Sequence, residues 1–156
     1  MVHDVDTTPA PREVRYPVVG AFLYRDLVLH PAFHGLVLFA HGSGSGRHSA
    51  RNRQVAQHLQ HAGIATLLFD LLTAQEEQID VHTSAYRSNI PLLTQRMPDA
   101  TAWAAAQPEL QHAAIGYFGA STGSATALVA AAGPGPQSMP WFPVESGHSA
   151  RRHPPV

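Results

Sequence analysis

At 156 residues the chain is long enough for one hydrophobic core and too short for two ordinary domains. It has no cysteine, which excludes disulfides and thiolate metal sites, and all ten of its Lys/Arg positions are arginine, which excludes a lysine-dependent Walker A loop. A net charge of -1 argues against a nucleic-acid partner, and a 44% apolar chain with no run of membrane-spanning length argues against a membrane one. Residues 1–13 contain Pro9 and Pro11 and little that can pack, so a flexible arm is expected there. The start of that arm is acidic and lacks the basic and apolar regions of a signal peptide, so the expected location is cytoplasmic.

Residues 18–24 and 27–29 read as early strands, with a turn near Asp26. Gly35-Leu36-Val37-Leu38-Phe39-Ala40 is a continuous apolar run, the pattern of a parallel strand buried on both faces. It leads into a glycine-rich segment, His41-Gly42-Ser43-Gly44-Ser45-Gly46. Ser49 is the expected N-cap of a helix over about 50–61, with Val55 and Leu59 inward and Gly63 as its stop. His58 and His61 share a face of that helix; without an H-E-x-x-H spacing they read as surface histidines, and no metal or cofactor is expected.

Residues 64–69 form the next apolar run, and Asp70 stands at its end. Residues 71–83 read as an acidic loop. A helix is expected over about 90–106, with Pro91 suiting its first turn and Pro98 kinking or breaking it. Residues 113–118 read as a buried strand, followed by Gly119-Ala120-Ser121-Thr122-Gly123 and an alanine-rich helical run to Gly133. Alternating strands and helices predict an α/β fold with a mostly parallel sheet and flanking helices over residues 14–133. Residues 134–156 hold six of the thirteen prolines and read as an irregular tail.

Gly119 to Gly123 fits G-x-S-x-G between a strand and a helix, the setting of a nucleophile elbow. Ser121 is then the candidate nucleophile. The backbone N–H groups of Thr122 and of Gly42 or Ser43 are the candidate oxyanion donors, and a small ester-like molecule the candidate substrate. His41, Asp70 and Ser121 all fall at expected carboxyl ends of strands, where open α/β sheets place their sites. Alternatives stay open. The glycine loop could cradle a nucleotide phosphate, with Asp70 on a ribose, although Arg47 stands where the third glycine of G-x-G-x-x-G belongs. Arg47 and His48 could bind an anionic group or form a solvated loop edge.

Residues 36–45, with Arg47-His48-Ser49 and Arg51-Asn52, resemble the dienelactone-hydrolase-like branch of the α/β-hydrolases. So do residues 65–73 with Glu76-Glu77, and residues 116–123. The resemblance spans about residues 16–132 and implies an α/β-hydrolase sheet, Ser121 as nucleophile and ester-like substrates. Dienelactone hydrolases proper carry cysteine at the elbow, so the serine here does not imply dienelactone as substrate. Some relatives are fused to phosphoribosyltransferase domains, and nothing in this sequence suggests one.

In this fold the acid and histidine follow the serine. Thirty-five residues follow Ser121; they contain no aspartate, and Glu145, His148 and His153 are the candidates. A triad from Glu145 and His148 would rest on a proline-rich tail. An alternative frame across Met139 to Phe142 permits Ala-Val-Val-Ser, like a strand of the relatives. The expectation is a frameshift after about Gly135 and a hydrolase domain incomplete in this chain, or else a catalytically silent remnant or binding domain.

Overall fold

The structure, a computed structural model, describes residues 9–18, 20–40 and 46–119. Five strands, β1 (Arg12–Val18), β2 (Ala21–Val28), β3 (Gly35–Ala40), β4 (Ala65–Phe69) and β5 (Ala114–Gly119), form one sheet in the order β1-β2-β4-β3-β5. β1 pairs antiparallel with β2, and β2 antiparallel with β4. β3 runs parallel to both β4 and β5. Helices α1 (Ala50–His61), α2 (Ala74–Thr83) and α3 (Ile90–Ala106) complete the described fold, with a 3-10 turn at Pro108–Leu110.

The central strands follow the apolar pattern. All five residues of β4 are buried, because it lies inside the sheet with side chains packed on both faces. On one face Leu27, Leu67 and Leu38 occupy one register row and pack with Met97, Ala100 and Ala104 of α3. On the other face a row crosses all five strands: Glu13, Asp26, Leu68, Phe39 and Phe118. Its apolar end packs with Ala56, Val55 and Leu59 of α1, with the Phe39 and Phe118 rings 4.9 Å apart. Its acidic end, Glu13 and Asp26, receives arginines that flank and open α1.

The β1–β2 hairpin differs from expectation. Its turn lies between Val18 and Ala21, where Gly20 takes φ +74, and Asp26 sits inside β2. β1 begins at Arg12, two residues into the expected arm. It alternates exposed and half-buried positions, and as an edge strand it accommodates Pro17.

α1 occupies the expected span. The Ser49 side chain accepts from the Asn52 backbone N–H at 3.4 Å, and Gly63 takes φ +77 just past the helix. Its fully buried stripe is Asn52, Ala56 and Gln60, with Val55 and Leu59 half-buried beside it. Gln60 satisfies its amide by donating to the buried Thr66 hydroxyl at 2.7 Å.

Residues 74–83 form α2, not the loop expected there. Thr73 and Glu76 make a capping box: Glu76 N–H donates to Thr73 Oγ1 at 3.2 Å, and Thr73 N–H to Glu76 Oε2 at 2.8 Å. Pro98 does not break α3, which runs on to Ala106. Its ring lies on the exposed side, where water can take the carbonyl its missing N–H leaves free, while Met97, Ala100, Thr101 and Ala104 anchor the buried side.

Candidate functional site

β3 and β5 are neighbours, and their last residues, Ala40 and Gly119, are register partners. Two parallel strands therefore end side by side. Along the chain His41, Gly42 and Ser43 come directly after one end, and Ser121 and Thr122 follow shortly after the other. These five residues, with Glu145 and His148, lie outside the described residues. Asp70 and Arg47 lie within them, at the same edge of the sheet.

Asp70 stands one residue past β4, its N–H donating to the Tyr24 carbonyl at 3.0 Å. Both of its carboxylate oxygens are engaged by Arg47. The Arg47 backbone N–H donates to Oδ1 at 2.9 Å, and Arg47 Nε to Oδ2 at 3.1 Å. Arg47 Nη1 also reaches Asp26 Oδ1 at 2.6 Å and Glu13 Oε2 at 2.9 Å, and the guanidinium lies 5.4 Å over the Tyr24 ring. One cation thus bridges carboxylates from β1, β2 and the end of β4. Burial works against its charge, yet the bonds to Asp26 and the fields of Asp26 and Asp70 hold it above its ordinary pKa. Arg53 extends the network, reaching Asp26 Oδ2 at 3.5 Å and His48 Nδ1 at 2.7 Å.

This geometry bears on both sequence readings of the pair. The Arg47 side chain is 11% exposed and committed to three carboxylates, so it is neither a solvated edge nor a free anion receptor. Each Asp70 carboxylate oxygen accepts one hydrogen bond from Arg47. Asp26, Glu13 and Arg53 were not singled out in the sequence, although an acid flanked by Leu23, Tyr24 and Leu27 was the available signal. Among the described residues no group of three or more acidic, histidine or cysteine side chains is placed to hold a metal ion. No described helix is long and apolar enough to cross a membrane.

Elsewhere, Tyr16, Gly20, Thr73, Tyr86, Arg96 and Asp99 bound a hollow of about 750 Å³, within the size range of small-molecule sites. The Arg96–Glu76 ion pair lies along its wall.

A sheet of this order, with its antiparallel edge hairpin, parallel centre and two adjacent strand ends leading into glycine-containing motifs, is part of an α/β-hydrolase fold. Within that fold the chain is similar to the dienelactone-hydrolase-like branch. It is 52% identical to a dienelactone hydrolase from Anabaena variabilis, with a TM-score of 0.73 over 79% of this chain and 58% of that one. An esterase, Est1E, from Butyrivibrio proteoclasticus (17% identity, TM-score 0.60, 79% and 45% covered) shares the fold. So does a dienelactone-hydrolase-like promiscuous phosphotriesterase from metagenomic libraries (20%, 0.61, 79% and 54%). Two Mycobacterium tuberculosis proteins, provisionally named phosphoribosyl transferases, are 57% identical over 100 residues, which is 64% of this chain and 22% of theirs. No family model matches the chain. The chain spans less than two thirds of the Anabaena protein and about a fifth of the mycobacterial ones.

Proposed function

We propose that this chain carries the nucleophile half of a serine hydrolase that acts on ester-like bonds of small molecules. Ser121 is the nucleophile, and the backbone N–H groups of Thr122 and of Gly42 or Ser43 are the oxyanion donors. The observation that supports this reading most is the pairing of Ala40 with Gly119. It brings the starts of the two motif segments to adjacent strand ends, as acyl transfer at an elbow requires. The likeness to hydrolases and esterases agrees with it. With serine at the elbow and no cysteine in the chain, dienelactone itself is not implied as the substrate. The general base and its acid are His148 and Glu145 if the chain is active by itself. The phosphoribosyl-transferase name belongs to proteins of which this chain spans 22%, and nothing in the described site favours that chemistry.

A fluorophosphonate probe tests the reading. Labelling of the folded protein that disappears in Ser121→Ala is the expected result, together with hydrolysis of a p-nitrophenyl ester. A folded sample that takes no label would instead make the chain a catalytically silent remnant or a binding domain. Tight binding of a dinucleotide would favour the nucleotide-site alternative.

A further inference from the structure

We propose that the hollow walled by the Arg96–Glu76 pair is a binding site for a neutral, hydroxyl-rich small molecule, a small sugar. Its wall includes Tyr16 of β1, Thr73 at the cap of α2, Tyr86 between α2 and α3, and Gln95, Arg96 and Asp99 of α3. Part of that wall is a frame. The Thr73 hydroxyl accepts from the Glu76 N–H, and the Arg96 fork holds both Glu76 oxygens. Tyr86 is set in place by its N–H, which donates to the buried Asp80 at 2.8 Å. The Tyr16 ring is backed by the Arg25 guanidinium, 4.4 Å from its centroid. The rest of the wall is uncommitted: the side chains of Tyr16, Tyr86, Gln95 and Asp99 make no hydrogen bond among the described residues.

Charge and hydrogen-bonding capacity select the ligand class. Arg96 is matched by Glu76, and the field of Asp99 falls on the buried Arg25, so each cation faces an anion. A ligand carboxylate or phosphate would meet the Asp99 and Glu76 charges, and an ammonium ion the Arg25 and Arg96 charges, so neither sign gains net attraction. A hydrocarbon would strip water from two phenols, an amide and a carboxylate without replacing their hydrogen bonds. A sugar hydroxyl both donates and accepts. It can donate to the Asp99 carboxylate and the Gln95 side-chain carbonyl and accept from the phenol hydroxyls, while the sugar's C–H faces cover the tyrosine rings. A wall held in place before binding lowers the ordering cost of so small a ligand. The site is independent of the hydrolase reading, which gives none of these residues a role in acyl transfer.

The test titrates the isotope-labelled protein with glucose, mannose, galactose and sucrose and follows amide chemical shifts, which needs no turnover. Saturable shifts at the Thr73 and Tyr86 backbone amides and the Gln95 side-chain amide are expected, with a Kd of about 1–10 mM for at least one of these sugars. Asp99→Asn, which removes the charge from a hydroxyl acceptor, should weaken that sugar by about 10-fold. Gln95→Ala changes an exposed side chain, so it should keep the unfolding midpoint and still weaken binding by about 3-fold. Glucosamine and glucuronate should bind no more tightly than glucose. The proposal is overturned if no sugar gives a saturable shift up to about 50 mM. It is equally overturned if the shifts fall away from the hollow, or if affinity is unchanged in both Asp99→Asn and Gln95→Ala. Binding of glucosamine or glucuronate about 10-fold tighter than glucose would also overturn it, since charge and not hydroxyl groups would then select the ligand.

Discussion

Arg96 and Glu76 meet as a planar fork, Nη1 donating to Oε2 and Nη2 to Oε1, each at 2.6 Å. Arg96 Nη1 also donates to the Leu71 carbonyl, and its side chain is 9% exposed. The same Glu76 closes the capping box at the start of α2. One carboxylate therefore caps one helix and anchors it to α3. Arg96→Ala strips the cation from Glu76 and a donor from Leu71 together. It should cost about 3 kcal/mol, the scale for breaking a largely buried pair by removing one partner. Arg96→Lys should lose about half as much, since an ammonium cannot serve both oxygens in the fork geometry. Urea unfolding with linear extrapolation measures both; a loss in Arg96→Ala no larger than that of a surface arginine would remove the anchor from the account.

Two carboxylates make stability depend on acid. Burial disfavours the charge on Glu76, but the bonds from Arg96 and Thr73 outweigh it and hold its pKa below the ordinary 4.5. Asp80 has the same balance. Burial opposes its charge, while the Arg87 backbone N–H and guanidinium and the Tyr86 N–H hold it below 3.8. A depressed folded pKa means that the unfolded chain binds protons first as pH falls. The stabilisation is therefore present above the ordinary carboxylate range and is lost as pH drops through the depressed values. Between about pH 6 and about pH 3 the wild type should lose more in melting temperature than the double variant Glu76→Gln/Asp80→Asn. Parallel losses in the two proteins would mean that other groups govern acid unfolding.

The fold was legible wherever burial leaves a local mark. β3 and β4 stand out as apolar runs because central strands bury both faces, and β5, at the end of the described sheet order and mostly half-buried, still carries an apolar run. β1 was hidden because an edge strand carries Arg12, Glu13 and Arg15 outward, and its pairing with β2 is set by register rather than by its own composition. α2 was hidden because its polar sequence presents almost no apolar stripe, with Asp80 its buried residue. The Thr73–Glu76 capping-box spacing was nevertheless there to be read. At the site, the strand ends were legible from the motifs. The ties from Arg47 to Asp26 and Glu13 were not, because they join residues that only the hairpin register and the β2–β4 pairing bring together.

Arg25 poses the sharpest test of how burial and charge trade off in this core. It is 0% exposed, and its Nε, Nη1 and Nη2 have no hydrogen-bond partner among the described residues. The guanidinium is held between the Tyr16 ring, 4.4 Å away, and the Trp103 ring, 5.1 Å away. Burial brings its pKa down to about 10, against the upward pull of Tyr16 and Asp99. Stacking on two rings returns about 1–2 kcal/mol each when desolvated. Removing a cation from water with its donors unpaired costs several kcal/mol. The second effect is the larger, so an apolar side chain of similar length should fit better. Arg25→Met should raise the unfolding free energy by about 1–3 kcal/mol, with methionine sulfur taking the place between the rings. Arg25→Ala, which also opens a cavity, should lower it by about 2 kcal/mol. Urea midpoints for the two variants separate charge from volume. A loss in Arg25→Met as large as in Arg25→Ala would show that the aromatic sandwich, and not the desolvation penalty, sets the energy of this position.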